Sequence, residues 1–350
     1  MVEQRDIDII LNNPIDWECF RNKTVLVTGA TGRLGMYIVE AINKADIDWN
    51  LNVTIIALAR NEKKLQEVFG ESLKLPNIHP LVQDITEPIR WDGKVHYIFH
   101  TAGAASPQDF TNWPVDTLWG HVQGTRNVLE LAREKQSEKI LYVSTVETYG
   151  EWKSEQGIKE DDMGPMHCDN ARACYPEAKR LCETMLASYE AQYEILYVGV
   201  RLCHTFGPGI SLDDGRAFSE FIRDVIEGKD IVLQTNGSAE RTYTYVADAI
   251  GGMLLAFTKG TDHYYNIANL DNLINIRDLA ELIADLDPKK KVKVQYANEK
   301  EQRLKYLPFK LGIMNVERIT ELGWRPQVGI RDAFRYTLES FLQRGVNSDE

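Results

Sequence analysis

Thr28-Gly29-Ala30-Thr31-Gly32-Arg33-Leu34-Gly35 follows the apolar run 24–27 and opens an apolar pattern of helical spacing over 34–42. Strand, glycine turn and helix stand in the order that a dinucleotide pyrophosphate requires. Gly29 permits the tight turn, Gly32 lets backbone approach phosphate, and Gly35 lets the helix lie close on the strand. The first N–H groups of the helix and its dipole then face the anion. The stretch predicts a bound nicotinamide dinucleotide, NAD or NADP.

Outward from this turn, apolar runs at 53–58, 98–101, 140–144 and 195–200 read as buried strands, with helical patterns at 118–132 and 179–193 between them. The alternation predicts an α/β fold, a Rossmann-type doubly wound parallel sheet. After about residue 201 the rhythm changes to a Gly/Pro/Asp-rich loop at 206–215, then to short strands and helices through 337–342. The expected division is a cofactor domain over 1–200, opened by a helical extension reaching Asn22, and a smaller α/β substrate lobe over 201–350. Part of that lobe is expected to rejoin the main sheet.

The 350 residues carry a formal charge of −12. That gives no basic field for nucleic acid or an anionic membrane, so a phosphate ligand needs local arginines and backbone N–H groups. The five cysteines form no CxxC pair and are odd in number, against both a zinc site and a disulfide framework. They read as reduced thiols of a cytoplasmic protein, and no metal site is expected. No apolar run approaches the ~20 residues that span a bilayer.

Tyr175 and Lys179 stand four apart where a helical pattern begins, and Pro176 fits there because a first turn does not use its N–H. An ammonium near a phenol favours phenolate, which makes Tyr175 a candidate general base for alcohol oxidation. The preceding strand ends in Ser144-Thr145, and a parallel sheet delivers that end to the same edge.

Residues 28–35, 144–150 and 175–179 together resemble the extended short-chain dehydrogenases/reductases that modify nucleotide sugars. Within that family, the segment 172–180, Asp214-Gly215-Arg216 and Thr205-Phe206-Gly207-Pro208 are most similar to UDP-glucuronate decarboxylases. The resemblance implies that Tyr175 is the base, that Lys179 also holds the nicotinamide ribose, and that Thr145 hydrogen-bonds the sugar hydroxyl being oxidised. It assigns Gly29, Thr31, Gly32, Arg33, Leu34, Gly35, Arg60, Asp84, Ile85, Ala102 and Gly103 to the cofactor. Arg241 matches an arginine near the substrate's diphosphate and sugar, and Ser106, Arg172, His204 and Arg216 are further substrate candidates.

Related 4,6-dehydratases carry an Asp-Glu pair after the threonine, whereas this chain has Val146-Glu147. Valine donates no proton, so 6-dehydration lacks its acid, and Glu147 remains available for proton chemistry or positioning. His204 and His121 stand where the family places asparagines. The second predicted strand ends in Ala59-Arg60-Asn61, without the acid that usually binds the ribose hydroxyls of NAD. Arg60 with Arg33 is a candidate clamp for a 2′-phosphate, while an internally recycled cofactor in this family favours NAD.

The leading reading is a nucleotide-sugar enzyme that oxidises C4 transiently, with UDP-glucuronate decarboxylation as the specific expectation. A 4-epimerase needs the same Thr145, Tyr175 and Lys179. A dinucleotide-sensing regulator is the alternative of another class, and it has no need of the Tyr-Lys pair. The resemblance also implies a homodimer formed through the helices near 118–132 and 179–193.

Overall fold

A computed structural model describes residues 2–152, 157–297 and 312–346. Seven strands form the main sheet: β1 (Thr24–Thr28), β2 (Thr54–Ala59), β3 (Ile78–Val82), β4 (Tyr97–His100), β5 (Lys139–Thr145), β6 (Leu196–Leu202) and β10 (Tyr264–Ile267). Their order is β10-β6-β5-β4-β1-β2-β3, and every pair is parallel. The smaller strands are β7 (His204–Phe206), β8 (Ile231–Leu233), β9 (Glu240–Tyr245), β11 (Leu273–Asn275) and β12 (Val294–Tyr296). They form a β11-β9-β7 sheet and a β12-β8 pair.

Alternate side chains explain why the strands read as continuous apolar runs. Val25, Val27, Ile55, Leu141 and Val143 enter one core. There they meet the buried faces of helices α1 (Gln4–Leu11), α2 (Arg33–Trp49) and α8 (Val246–Lys259). Leu26, Ile56, Ile98, Ile140 and Tyr142 enter the other core, against α5 (Pro114–Lys135) and α6 (Cys174–Tyr193). The remaining helices are α3 (Glu62–Phe69), α4 (Pro107–Asn112), α7 (Ala217–Glu227), α9 (Ile276–Asp285), α10 (Glu317–Glu321) and α11 (Ile330–Val346).

Strand order reverses between β1 and β4, which opens the crevice at their carboxyl ends. Residue 200 lies inside β6, and β10 from the second half of the chain pairs with that strand. The N-terminal extension is α1 followed by a 3₁₀ turn at Trp17–Phe20, and its Asp6 is fully buried. Asp6 accepts hydrogen bonds from Tyr37 Oη of α2 at 2.7 Å and Tyr245 Oη of β9 at 2.8 Å. The extension thereby ties the helix behind the glycine turn to the strand that carries Arg241. Among the described residues, no helix is long and apolar enough to cross a membrane.

Candidate active site

Helix α6 begins at Cys174, which places Pro176 in its first turn and puts Tyr175 and Lys179 one turn apart. Both are buried. β5 delivers Thr145 beside them, and the Thr145 hydroxyl lies close enough to the Tyr175 phenol to favour its phenolate. The Tyr175 ring stacks on Phe110, with centroids 4.3 Å apart and planes at 17°, and meets His121 edge-on at 5.4 Å.

The expected effect of Lys179 on Tyr175 is not what the site shows. Burial pushes the Tyr175 pKa up to about 12, Glu147 adds to the rise, and Thr145, Arg216 and Arg172 oppose it. Lys179 instead donates to the Val143 carbonyl at 2.7 Å and lies over the Tyr142 ring, 5.9 Å from the Tyr175 centroid. Burial lowers the Lys179 pKa to about 8. A buried ammonium held by a backbone carbonyl is a weaker local source of positive charge than the helix spacing alone suggests.

Glu147 is no solvated strand-end carboxylate. In the 3₁₀ turn Val146–Tyr149 it receives Arg172 Nη2 on both oxygens, at 3.0 and 2.9 Å, while its backbone N–H donates to Thr145 Oγ1. Arg172, expected on the substrate, is thus paired within the protein and lies over the Phe110 ring. Its Nη1 is buried and has no partner among the described residues.

β7 and β9 run side by side and bring residues from the second half of the chain to this edge. Val146, Cys203, His204, Arg241 and Met314 line one pocket. Burial, with Arg241 and Arg216 nearby, pushes the His204 pKa down to about 3, so the imidazole is neutral. Arg216 reaches the Ala105 carbonyl at 2.5 Å and pairs with Asp214. Ser106 is occupied otherwise than expected: it caps α4, accepting from Asp109 N–H and donating to the Asp109 carboxylate.

In the glycine turn, a Cβ on Gly35 would lie 2.4 Å from the Gly29 carbonyl oxygen, and one on Gly29 would lie 2.8 Å from Ala102 Cα. These contacts press turn, helix and the Ala102-Gly103 segment together. A Cβ on Gly103 would lie 2.2 Å from His121 Cε1. Gly32, the N-cap of α2, offers no side-chain acceptor, which leaves the first N–H groups to an outside anion. Thr31 is half-buried within the turn, and Leu34 packs on the core. The Asp84 carboxylate accepts from Thr86 N–H and Oγ1, which lowers its pKa, and buried Ile85 packs against α5 at Gly124. These features fit a dinucleotide.

Arg33 and Arg60 are not brought together. Arg60 is exposed and lies near Asp84 at the end of β2, whereas Arg33 Nη2 donates to the Thr205 carbonyl of β7 at 2.7 Å. Among the described residues no cluster of three or more His, Cys, Asp or Glu could hold a metal, and all five cysteines are free thiols.

Residues 25–268 match the family model "NAD dependent epimerase/dehydratase family". The chain belongs to that family. A family relative, UDP-glucuronic acid decarboxylase 5 of Arabidopsis thaliana, is 29% identical over 336 residues, which cover 95% of this chain and 93% of the relative. A UDP-glucose 4-epimerase from Thermotoga maritima, solved with UDP-glucose, shares the fold at a TM-score of 0.75 and 20% identity, covering 92% of this chain and 99% of that one. A dTDP-glucose 4,6-dehydratase from Streptomyces venezuelae, solved with NAD, gives a TM-score of 0.75 at 21% identity, with 92% and 98% covered. The family model is that of NAD-dependent enzymes, and the dehydratase of like fold was solved with NAD.

Phe110 and the Val143 carbonyl escaped the sequence reading. One is a lone aromatic in a polar stretch, and the other is a backbone group that no side-chain pattern announces.

Proposed function

We propose that the protein transiently oxidises C4 of a nucleotide sugar, and that the sugar is UDP-glucuronate, decarboxylated to a UDP-pentose. The observation that carries this reading is the meeting of Thr145, Tyr175 and Lys179 at the sheet edge, with Val146 beside the Glu147–Arg172 pair. The 29% identity to a UDP-glucuronic acid decarboxylase supports the substrate.

Bound nicotinamide supplies the two-electron acceptor that makes C4 a ketone and returns the electrons at the end of the turnover. Tyr175 Oη takes the proton of the C4 hydroxyl, and the Thr145 hydroxyl holds that group in line. Tyr175 rests as a neutral phenol, so Thr145, Arg216 and Arg172, which favour phenolate, assist its deprotonation. A ketone at C4 is β to the C5 carboxylate. Carbon dioxide leaves, the electron pair of the broken bond enters the enolate, and C5 takes a proton. Val146 cannot protonate a departing 6-hydroxyl, which disfavours dehydration. Arg241, Arg216 and His204 face the diphosphate and the sugar.

The half of the chain up to β6 holds the cofactor and the reacting end of the sugar, and the half after it supplies the remaining substrate contacts. We assign NAD as the cofactor, because Arg33 turns to Thr205 and leaves Arg60 alone at the end of β2. Free thiols suit the reducing cytoplasm. Two copies associate through α5 and α6, which expose Val115, Trp119 and Leu181; light scattering that shows a monomer contradicts this.

Mass spectrometry of products from UDP-glucuronate, UDP-glucose, UDP-galactose and GDP- and dTDP-sugars tests the reading, with Tyr175→Phe as control. Loss of carbon dioxide from UDP-glucuronate, abolished by Tyr175→Phe, is expected. A mass-neutral change of another sugar assigns a 4-epimerase, and no turnover of any sugar supports a binding protein.

A further inference from the structure

Two helix starts in this molecule each carry an arginine, and the two side chains cross the seam between the lobes in opposite directions. Arg33, the first residue of α2, reaches out of the glycine turn to the Thr205 carbonyl in β7, at 2.7 Å. Arg216, the N-cap of α7, reaches back from the substrate lobe to the Ala105 carbonyl in the loop after β4, at 2.5 Å. Neither helix start has a side-chain cap. The seam is tight: Gly209 has φ +87°, and a Cβ there would lie 2.4 Å from Met36 Cε of α2.

The charges at the seam do not balance. The Asp214 carboxylate, 3.3 Å from Arg216 Nη1, is the acid that acts on both guanidiniums. Arg33 has no ion pair among the described residues, and its Nε is buried without a partner. Burial and the like charge of Arg216 lower the Arg33 pKa to about 10. Two guanidiniums that repel one another, one with an unused N–H, form a receptor for an anion with several oxygens.

We propose that Arg33 and Arg216 form one anion subsite, which takes the diphosphate of the nucleotide-sugar substrate. The inference rests on the nucleotide-sugar reading above. Arg33 thus lies in the cofactor turn but selects for substrate. Its orientation away from Arg60 sets it apart from a 2′-phosphate clamp, and its fork facing Thr205 places the anion over the substrate lobe.

Calorimetric titration of UDP, NAD and NADP into the wild type, Arg33→Met, Arg216→Met and the double variant tests the subsite. Arg33→Lys, which keeps the charge without the fork, serves as a second variant should Arg33→Met fail to fold. Each Met variant is expected to weaken UDP binding about tenfold or more, with NAD and NADP within about threefold. In the double variant the loss is expected to be smaller than the product of the single losses, because one anion is shared. Unchanged UDP affinity in the Arg33 variants overturns the subsite while the nucleotide-sugar reading stands. Loss confined to NADP assigns Arg33 to the 2′-phosphate, and equal loss of NAD and NADP assigns it to the cofactor pyrophosphate; either overturns the proposal. A wild type that binds none of UDP, GDP and dTDP overturns the nucleotide-sugar reading as well.

Discussion

Arg172 Nη2 bridges both carboxylate oxygens of Glu147, at 3.0 and 2.9 Å, with the side chains 20% and 14% exposed. The pair sits beside Tyr175 and acts on it with opposite signs, since Glu147 raises the phenol's pKa and Arg172 lowers it. Glu147→Gln is therefore predicted to move the Tyr175 titration down, and Arg172→Met to move it up, each by on the order of one pH unit. Ultraviolet difference titration against Tyr175→Phe reads the shift. Movement of both variants in one direction contradicts the assignment.

Asp6 joins α1 to both lobes through Tyr37 and Tyr245. Asp6→Ala leaves two buried phenols without their acceptor and is predicted to cost about 2–4 kcal/mol in urea denaturation. Asp6→Asn keeps one acceptor oxygen and is predicted to cost less. If Ala and Asn variants are both as stable as the wild type, the extension is no strut.

Lys179 gives a pH signature. Its pKa falls from 10.5 to about 8 in the folded chain because the ammonium is buried. Below pH 8 both folded and unfolded chains hold the proton, and the full cost of the buried charge is present. Between about 8 and 10.5 the folded chain has released its proton first, so stability rises with pH. Lys179→Met removes that cost. The variant is predicted to exceed the wild type by about 3 kcal/mol near pH 7, with the gap closing toward pH 10.5. A gap that stays constant or widens contradicts the burial account.

Gly103, at φ +149°, leaves no space for a Cβ against His121. Gly103→Ala is predicted to lose about 2 kcal/mol or more, and His121→Ala in the same chain to restore part of it. Strictly additive losses show that the two residues do not share the space.

Much of this site was readable in the sequence where its logic is local. The glycine turn lies within eight residues, and Tyr175 and Lys179 share a helix face by spacing alone. β3 gave a poorer signal: it is an edge strand with exposed His79 and Pro80, so burial imposed no apolar pattern on it. The Glu147–Arg172 pair spans 25 positions, and the direction of Arg33 depends on a carbonyl 172 positions away. Such contacts come from the packing of whole lobes and carry no periodicity. The fall in the Lys179 pKa was hidden for the same reason, since burial is a property of everything packed around α6.

Incubation of the protein with UDP-glucuronate in deuterium oxide, followed by mass spectrometry and proton NMR of the sugar, tests the central claim most directly. The account predicts loss of carbon dioxide and one solvent deuteron at C5 of a UDP-pentose, because the enolate takes its proton from outside the sugar. A sugar of unchanged mass, or one inverted at C4 without solvent deuterium, would contradict it.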